Sequence, residues 1–157
     1  EVLSTYTEFK FIITYPNADT HNRGLIEVLE KFKEKYCDQV LLVQSLGQLR
    51  YLSLLKHCEV VVGNSSSGLI EVPAFKKPTV NIGRRQGGRI FGDTVINCDE
   101  NMSAISDAVV RAMSKDFINQ CSVAQNPYGD GGSSKKILAM IESIALDDLI
   151  IKKFHDI

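Results

Sequence analysis

The chain has 157 residues, of which 44% are hydrophobic and 24% are charged, a composition typical of a protein with one ordinary core. The net charge of −1 at pH 7 is too balanced to predict binding to nucleic acid or to a membrane surface. The apolar runs are too short to span a bilayer. We therefore expect neither nucleic acid nor a membrane among the partners.

Cysteine and histidine usage predicts a reduced, cytoplasmic protein without a bound metal. The four cysteines show no C-x-x-C spacing, which favours mostly buried thiols over metal ligands or a disulfide framework. The three histidines form no metal-ligand pattern. The first residues do not resemble a signal peptide, and because the sequence does not begin with Met, we expect it to start inside a longer protein.

Short apolar strands alternate with helices along the chain. Strands are predicted over residues 9–15, 40–44, 60–62, 79–82 and 94–98. Helices are predicted over residues 23–36, around 49–55, from the turn at 64–68 to about 75, over 102–114, and after an N-cap at Ser133. Residues 126–132 are predicted to form a loop, and residues 146–157 continue the helical spacing.

This alternation predicts a doubly wound α/β domain, Rossmann-like, in which helices cover both faces of a parallel sheet. Ligands bind outside the carboxyl ends of the strands in such sheets. The turns at residues 16–23, 45–47, 64–68 and 83–89 should therefore converge on one edge. We expect this domain to extend over residues 1–145, with a further helix over 146–157.

The turn at residues 64–68, which we call the serine turn, has the sequence Asn-Ser-Ser-Ser-Gly and precedes a helix. It would present hydroxyls and backbone N–H groups at the positive end of a helix dipole, where a phosphate can bind. Ser65 and Ser66 could instead be helix caps, although three serines exceed what a cap needs. Glu71 follows among apolar neighbours, so it is either a solvated helix residue or a carboxylate with a polar partner.

A cationic loop, GRRQGGR at residues 83–89, follows the strand at 79–82. The guanidinium of Arg85 could bind a diphosphate in bidentate fashion, and Arg84 and Arg89 are further candidates.

The other candidates carry weaker signals. Ordinary turn and cap chemistry explains Asn17, Asp19 and Arg23 without a ligand. Tyr51 lies off the apolar stripe of its helix, as a surface tyrosine also would.

Three segments match a known family in order and spacing over almost the whole chain. They are YPNADTHNRG at 15–24, GNSSSGLIEVPAFKKPTVNIGRRQGGR at 63–89 and NPYGDGGSSKKI at 126–137. They resemble the carboxyl-terminal half of the hydrolysing UDP-N-acetylglucosamine 2-epimerases of sialic-acid and related nonulosonate pathways. Non-hydrolysing relatives carry a DSGG-type turn and a Thr-Glu-Arg-Pro-Glu loop at these places, so the comparison favours the hydrolysing branch.

The resemblance implies a UDP site. By this resemblance Ser65 and Ser66 hold the phosphates, Glu71 accepts hydrogen bonds from the ribose hydroxyls, and Tyr51 stacks on the uracil beside Leu46. The complete set of implied substrate-binding residues is Asn17, Asp19, Arg23, Leu46, Tyr51, Ser65, Ser66, Glu71 and Arg85.

The resemblance also implies the carboxyl-terminal half of a two-domain enzyme of glycosyltransferase-B architecture, here lacking its first strand. Its reaction removes UDP from UDP-N-acetylglucosamine with proton abstraction at C2, and then hydrates the glycal to N-acetylmannosamine, without a metal or redox cofactor. The acid–base residues lie in the amino-terminal domain, towards which the helix at 146–157 would pack. No catalytic residue is therefore expected here, the chain alone should be inactive, and the full-length enzyme is expected to be a homo-oligomer.

Three alternatives remain open from the sequence. A UDP-sugar glycosyltransferase domain of similar fold would use the same phosphate turn. An epimerase acting on a UDP-2,4-diacetamido-trideoxy sugar would have the same clamp on UDP. A UDP-binding module without chemistry is the third.

Overall fold

The structure, a computed structural model, describes residues 1–16 and 23–144. Its strands are β1 (Phe11–Thr14), β2 (Val40–Val43), β3 (Val61–Gly63), β4 (Thr79–Ile82) and β5 (Val95–Cys98). Its α-helices are α1 (Arg23–Lys35), α2 (Gly47–His57), α3 (Ser67–Ile70), α4 (Met102–Ala112), α5 (Lys115–Val123) and α6 (Ser133–Ser143). Short 3₁₀ helices cover Val2–Thr5 and Val72–Phe75.

All strand pairs are parallel, so the predicted α/β class with parallel strands is confirmed. Within the described residues β1 pairs with β2, and β3, β4 and β5 form a separate sheet in that order. The strands were expected to form a single sheet. Strand–helix alternation favours parallel pairing but does not determine which strands are neighbours. It could therefore not predict that β1 and β3 are not hydrogen-bonded to each other.

The β3–β4–β5 sheet is covered on both faces, as a doubly wound arrangement requires. Val80 and Ile96 face α4 and α5, whose Val109 and Phe117 join them in the largest apolar cluster. On the other face the hydroxyl of Thr79 donates to the carbonyl of Gly68 at 3.0 Å, which holds α3 against β4. The carboxyl ends of β3 and β4 therefore open onto the loops that were predicted to bind a ligand.

The β1–β2 pair is covered by α1 on one face. Phe32 of α1 lies 6.4 Å from Phe11, measured between ring centroids, and Val40 and Leu42 are buried. On the other face Ile12 and Leu41 are exposed. Only one side of this pair is therefore packed within the described residues.

The helix expected to run from the serine turn to residue 75 is interrupted. Helix α3 ends at Ile70, and a 3₁₀ helix follows Glu71. Pro73 explains the break, because it has no N–H to continue the α-helical ladder and disfavours α geometry at Val72. The expectation of one continuous helix was wrong.

Two other local expectations also need correction. Gly132, in the left-handed region at φ +74°, is the N-cap of α6, so Ser133 is its first helical residue and not its cap. The four cysteines were expected to be mostly buried. All four are free, but Cys121 alone is buried, Cys58 and Cys98 are half-buried and Cys37 is exposed.

Residues 146–157 lie outside the described residues. Among those described, no helix is long and apolar enough to cross a membrane.

Candidate functional site

The serine turn and the cationic loop meet at Asn64. The side-chain amide of Gln86 donates through Nε2 to the carbonyl oxygen of Asn64 at 2.7 Å. The guanidinium of Arg85 donates through Nη1 to Oδ1 of the same residue at 3.5 Å. Two of the four turns predicted to converge are therefore in direct contact at the carboxyl ends of β3 and β4.

The serine turn is shaped by its own backbone. The N–H of Gly68 donates to the carbonyl of Ser65 at 3.1 Å, and the N–H of Leu69 donates to the carbonyl of Ser66 at 3.0 Å. Ser66 is the N-cap of α3, but its side chain makes no capping hydrogen bond. The hydroxyl of Ser65 accepts at 3.4 Å from the N–H of Ser67. The hydroxyl of Ser66 is therefore not occupied in capping α3.

Helix α3 contains only four residues, which limits one part of the predicted mechanism. A macrodipole is the sum of aligned peptide dipoles, so one turn of helix contributes little of it. Anion binding here would depend on local N–H and hydroxyl groups and on nearby cations. Ser65 is exposed and Ser66 is partly exposed, so both are accessible to such a ligand.

Helix α2 brings Tyr51 to the same turn. The hydroxyls of Tyr51 and Ser67 share a hydrogen bond. Burial raises the pKa of the Tyr51 phenol above its ordinary value of 10.0; the bond with Ser67 partly offsets this, and the charge of Glu71 raises it further. The phenol therefore stays neutral at physiological pH and lies close enough to Glu71 to sense its charge.

Glu71 lies where α3 passes into the 3₁₀ helix. Its N–H donates to the carbonyl of Ser67 at 2.9 Å, and its carbonyl accepts from the N–H of Ala74 at 3.1 Å. The residue is partly exposed, whereas its neighbour Val72 is completely buried. The chain thus places this carboxylate at the border between the apolar core and the surface.

The arginines of the cationic loop are exposed to solvent. Arg84, Arg85 and Arg89 are exposed, and Gly83 and Gly88 adopt the left-handed conformation at φ +74° and +81°. Glycine adopts this conformation without the strain that a side chain would bring. The loop therefore turns back tightly enough for Arg85 to reach the serine turn.

The remaining predicted residues are distributed as follows. Leu46, the N-cap residue of α2, is half-buried and lies just over one helical turn before Tyr51. Arg23 is exposed at the first position of α1. Asn17 and Asp19 lie outside the described residues. The structure thus groups Tyr51, Ser65, Ser66, Glu71 and Arg85 around one turn.

Sequence reasoning overlooked two residues that hold this arrangement together. Gln86 carries no charge, so it attracted no attention between arginines and glycines. Ser67 was noted only as the third serine. A pointer to Gln86 was present, since it lies inside the GRRQGGR segment that carries the family resemblance.

A cavity of about 710 Å³ borders the same loop on another side. It shares Gly83, Arg84 and Gly87 with the cationic loop, but includes neither the serine turn nor Glu71. Its other walls come from β4, β5, α4 and the loops on either side of β5: Asn81, Phe91, Ile96, Asn97, Cys98, Asp99, Ala104, Asp107, Ala108 and Arg111. The geometric cavity and the cluster of candidate binding groups are therefore different places. We assign the site by the converging hydroxyl, carboxylate and guanidinium groups.

Comparison with known proteins identifies the family. The family model described as UDP-N-acetylglucosamine 2-epimerase matches residues 1–142. The chain belongs to this family. The resemblance of the three sequence segments to the UDP-N-acetylglucosamine 2-epimerase family is thus confirmed.

Curated relatives carry related names. The GDP/UDP-N,N'-diacetylbacillosamine 2-epimerase (hydrolyzing) of Campylobacter jejuni is 34% identical over 156 residues, which are 99% of this chain and 40% of that protein. The UDP-N,N'-diacetylbacillosamine 2-epimerase (hydrolyzing) of Legionella pneumophila is 31% identical over 147 residues, 94% of this chain and 37% of that protein. A UDP-N-acetylglucosamine 2-epimerase of Neisseria meningitidis is 35% identical over 103 residues, 66% of this chain and 26% of that protein. The chain thus spans 40% or less of the length of these relatives.

Proposed function

We propose that the full-length protein is a hydrolysing UDP-sugar 2-epimerase and that this chain supplies its UDP-binding part. One observation carries the proposal: Asn64, the first residue of the serine turn, is hydrogen-bonded to Arg85 and Gln86 of the cationic loop. The chain that makes this contact belongs to the epimerase family. This junction brings hydroxyl donors and a guanidinium to one place, and such groups bind phosphates.

Each residue of the cluster receives a role in this proposal. The hydroxyls of Ser65 and Ser66 and the guanidinium of Arg85 bind the diphosphate. The carboxylate of Glu71 accepts hydrogen bonds from the ribose hydroxyls. Tyr51, held by Ser67, offers its ring to the uracil.

Four further residues complete the proposed UDP cleft. Leu46 lies next to the uracil. We assign Asn17, Asp19 and Arg23 to the same nucleotide-sugar cleft.

In the proposed reaction the bond between C1 of the sugar and the diphosphate oxygen breaks, and UDP leaves with the bonding electrons. A base removes the proton from C2, so a double bond forms between C1 and C2. Water then adds at C1, and a proton returns to C2 from the opposite face. Binding the diphosphate lowers the barrier to the first step, because the charge that develops on the leaving group is met by fixed donors.

Two sugars are compatible with this part of the molecule, because the residues assigned above bind UDP and the sugar is bound by other groups. The names of the relatives point both to N,N'-diacetylbacillosamine and to N-acetylglucosamine. We propose UDP-N-acetylglucosamine as the substrate, with the UDP-2,4-diacetamido-trideoxy sugar as the alternative. The chain contains no residue assigned to proton transfer, so we expect the chain alone to release no UDP above a no-enzyme blank.

The decisive experiment uses the full-length protein that contains this chain. Each UDP-sugar is incubated in deuterated water, and the products are followed by NMR. An epimerase releases UDP together with a free 2-epimeric sugar that carries deuterium at C2. Free sugar without deuterium at C2, or transfer of the sugar to an added acceptor, would refute the proposal.

A further inference from the structure

Gln86 differs from its neighbours in the cationic loop. Gln86 is 5% exposed, whereas its neighbours Arg84, Arg85, Gly87, Gly88 and Arg89 are all exposed. A buried amide is costly unless its polar atoms are paired. Its burial in a loop of arginines and glycines therefore calls for an explanation.

The contacts of Gln86 centre on Asn64. Its Nε2 donates to the Asn64 carbonyl oxygen at 2.7 Å, a short and therefore well-formed amide–carbonyl hydrogen bond. The adjacent Arg85 donates to Oδ1 of Asn64. Two consecutive loop residues thus hold the backbone and the side chain of the residue that begins the serine turn.

Stability alone does not account for this residue. The Oε1 atom of Gln86 is buried and has no hydrogen-bond partner among the described residues. An unpaired buried amide oxygen costs as much as, or more than, one ordinary hydrogen bond contributes. What the hydrogen bond of Gln86 provides besides stability is a fixed distance between two loops.

We propose that Gln86 is a positioning residue for diphosphate binding. The hydrogen bond from Gln86 to Asn64 fixes the cationic loop beside the serine turn. Arg85 and the hydroxyls of Ser65 and Ser66 can then bind the same anion. The inference rests on the proposed UDP site. Groups held in place before the ligand arrives bind it more tightly, because less order has to be created on binding.

The first test is the substitution Gln86→Met in the full-length protein, which keeps the size of the side chain and removes the donor. We expect UDP to bind about tenfold more weakly in calorimetric titration, as the loss of one hydrogen bond's worth of positioning predicts. The matched control is Gln120→Met. Gln120 makes the same kind of bond, from Nε2 to the carbonyl of Asp93 at 2.8 Å, away from the site, so UDP affinity should be unchanged.

The second test asks whether Gln86 acts through Arg85. In an Arg85→Met background, adding Gln86→Met should weaken UDP binding by less than about twofold, because there is no guanidinium left to position. Full multiplication of the two effects would show a general structural role and overturn the inference. If Gln86→Met does not fold, Gln86→Asn replaces it, because its shorter amide cannot reach Asn64.

The two levels of the argument fail differently. If the wild-type protein does not bind UDP, the proposed function fails and the inference with it. If the wild-type protein binds UDP and both Gln86 variants bind equally well per folded molecule, only the role of Gln86 is refuted.

Discussion

Glu71 and Ser66 are expected to contribute unequally to UDP binding. Glu71→Gln should weaken binding by about 1.5–3 kcal/mol, roughly one to two decades, because charge-assisted hydrogen bonds to the ribose are lost. Ser66→Ala should cost only about 0.5–1.5 kcal/mol, because neighbouring donors remain on the phosphate. Titration of UDP into the full-length protein and both variants measures the order. Equal UDP affinities in all three proteins would exclude the roles assigned to Glu71 and Ser66.

Tyr51 provides a spectroscopic test of the same cluster. Its pKa in the folded protein is raised above 10.0, so its contribution to stability is complete below pH 10 and is lost as the pH rises through the raised pKa. The charge of Glu71 contributes to the shift. Glu71→Gln should therefore let Tyr51 ionise at lower pH in an ultraviolet titration. Tyr51→Phe identifies its signal, and an unchanged titration would place Glu71 away from the phenol.

At the residue scale, charge was readable from the sequence and burial was not. Glu71 and Arg85 stood out because a carboxylate among apolar residues and a guanidinium among glycines are unusual. Gln86 is buried because two loops meet around it, and loop contacts between residues 22 positions apart leave no local pattern. The roles assigned to the site residues stay predictions until UDP binding is measured.

At the scale of elements, the close contact between α3 and β4 depends on Gly68. A Cβ atom there would lie 2.8 Å from Cγ2 of Thr79, which is buried and hydrogen-bonded to Gly68 itself. Gly68→Ala should therefore cost about 1–3 kcal/mol of unfolding free energy, since neither partner can easily move. Gly24→Ala in α1 is the control, because its Cβ would meet nothing within 4 Å. That change should be neutral or stabilise by up to about 1 kcal/mol.

Urea unfolding of the two glycine variants decides between packing and propensity. If Gly68→Ala is as harmless as Gly24→Ala, α3 does not press on β4 in solution. The serine turn would then be positioned by the Asn64 contacts and by the hydrogen bond between Tyr51 and Ser67.

Elements with strong periodicity could be predicted, and those set by one residue or by a few contacts could not. The five strands were located from short apolar runs. Helix α5 was missed because its buried residues, Phe117 and Cys121, are too few to make a convincing stripe. The break after α3 follows from Pro73, a signal that was present in the sequence but was not used.

At the scale of the whole molecule, a packed body contrasts with one unpacked helix. The body consists of the β3–β4–β5 sheet with α2, α3, α4 and α5, and contains most of the buried core. In α6 no residue is buried, and Ile137, Met140 and Ile141 are each about three-fifths exposed. The sequence predicted a helix here, but a helical period alone does not show whether anything covers the apolar side chains of that helix.

This division predicts different effects for the same substitution in two places. Leu69 in α3 is completely buried, so Leu69→Ala should lower the free energy of unfolding of the chain by about 2–5 kcal/mol. Leu138 in α6 is 56% exposed, and alanine favours helix at least as well as leucine, so Leu138→Ala should change it by less than about 0.5 kcal/mol. Urea unfolding of both variants beside the wild-type chain makes the comparison. A cost at Leu138 close to that at Leu69 would mean that α6 packs against the body in solution, because only the loss of buried contacts makes a leucine-to-alanine change so costly.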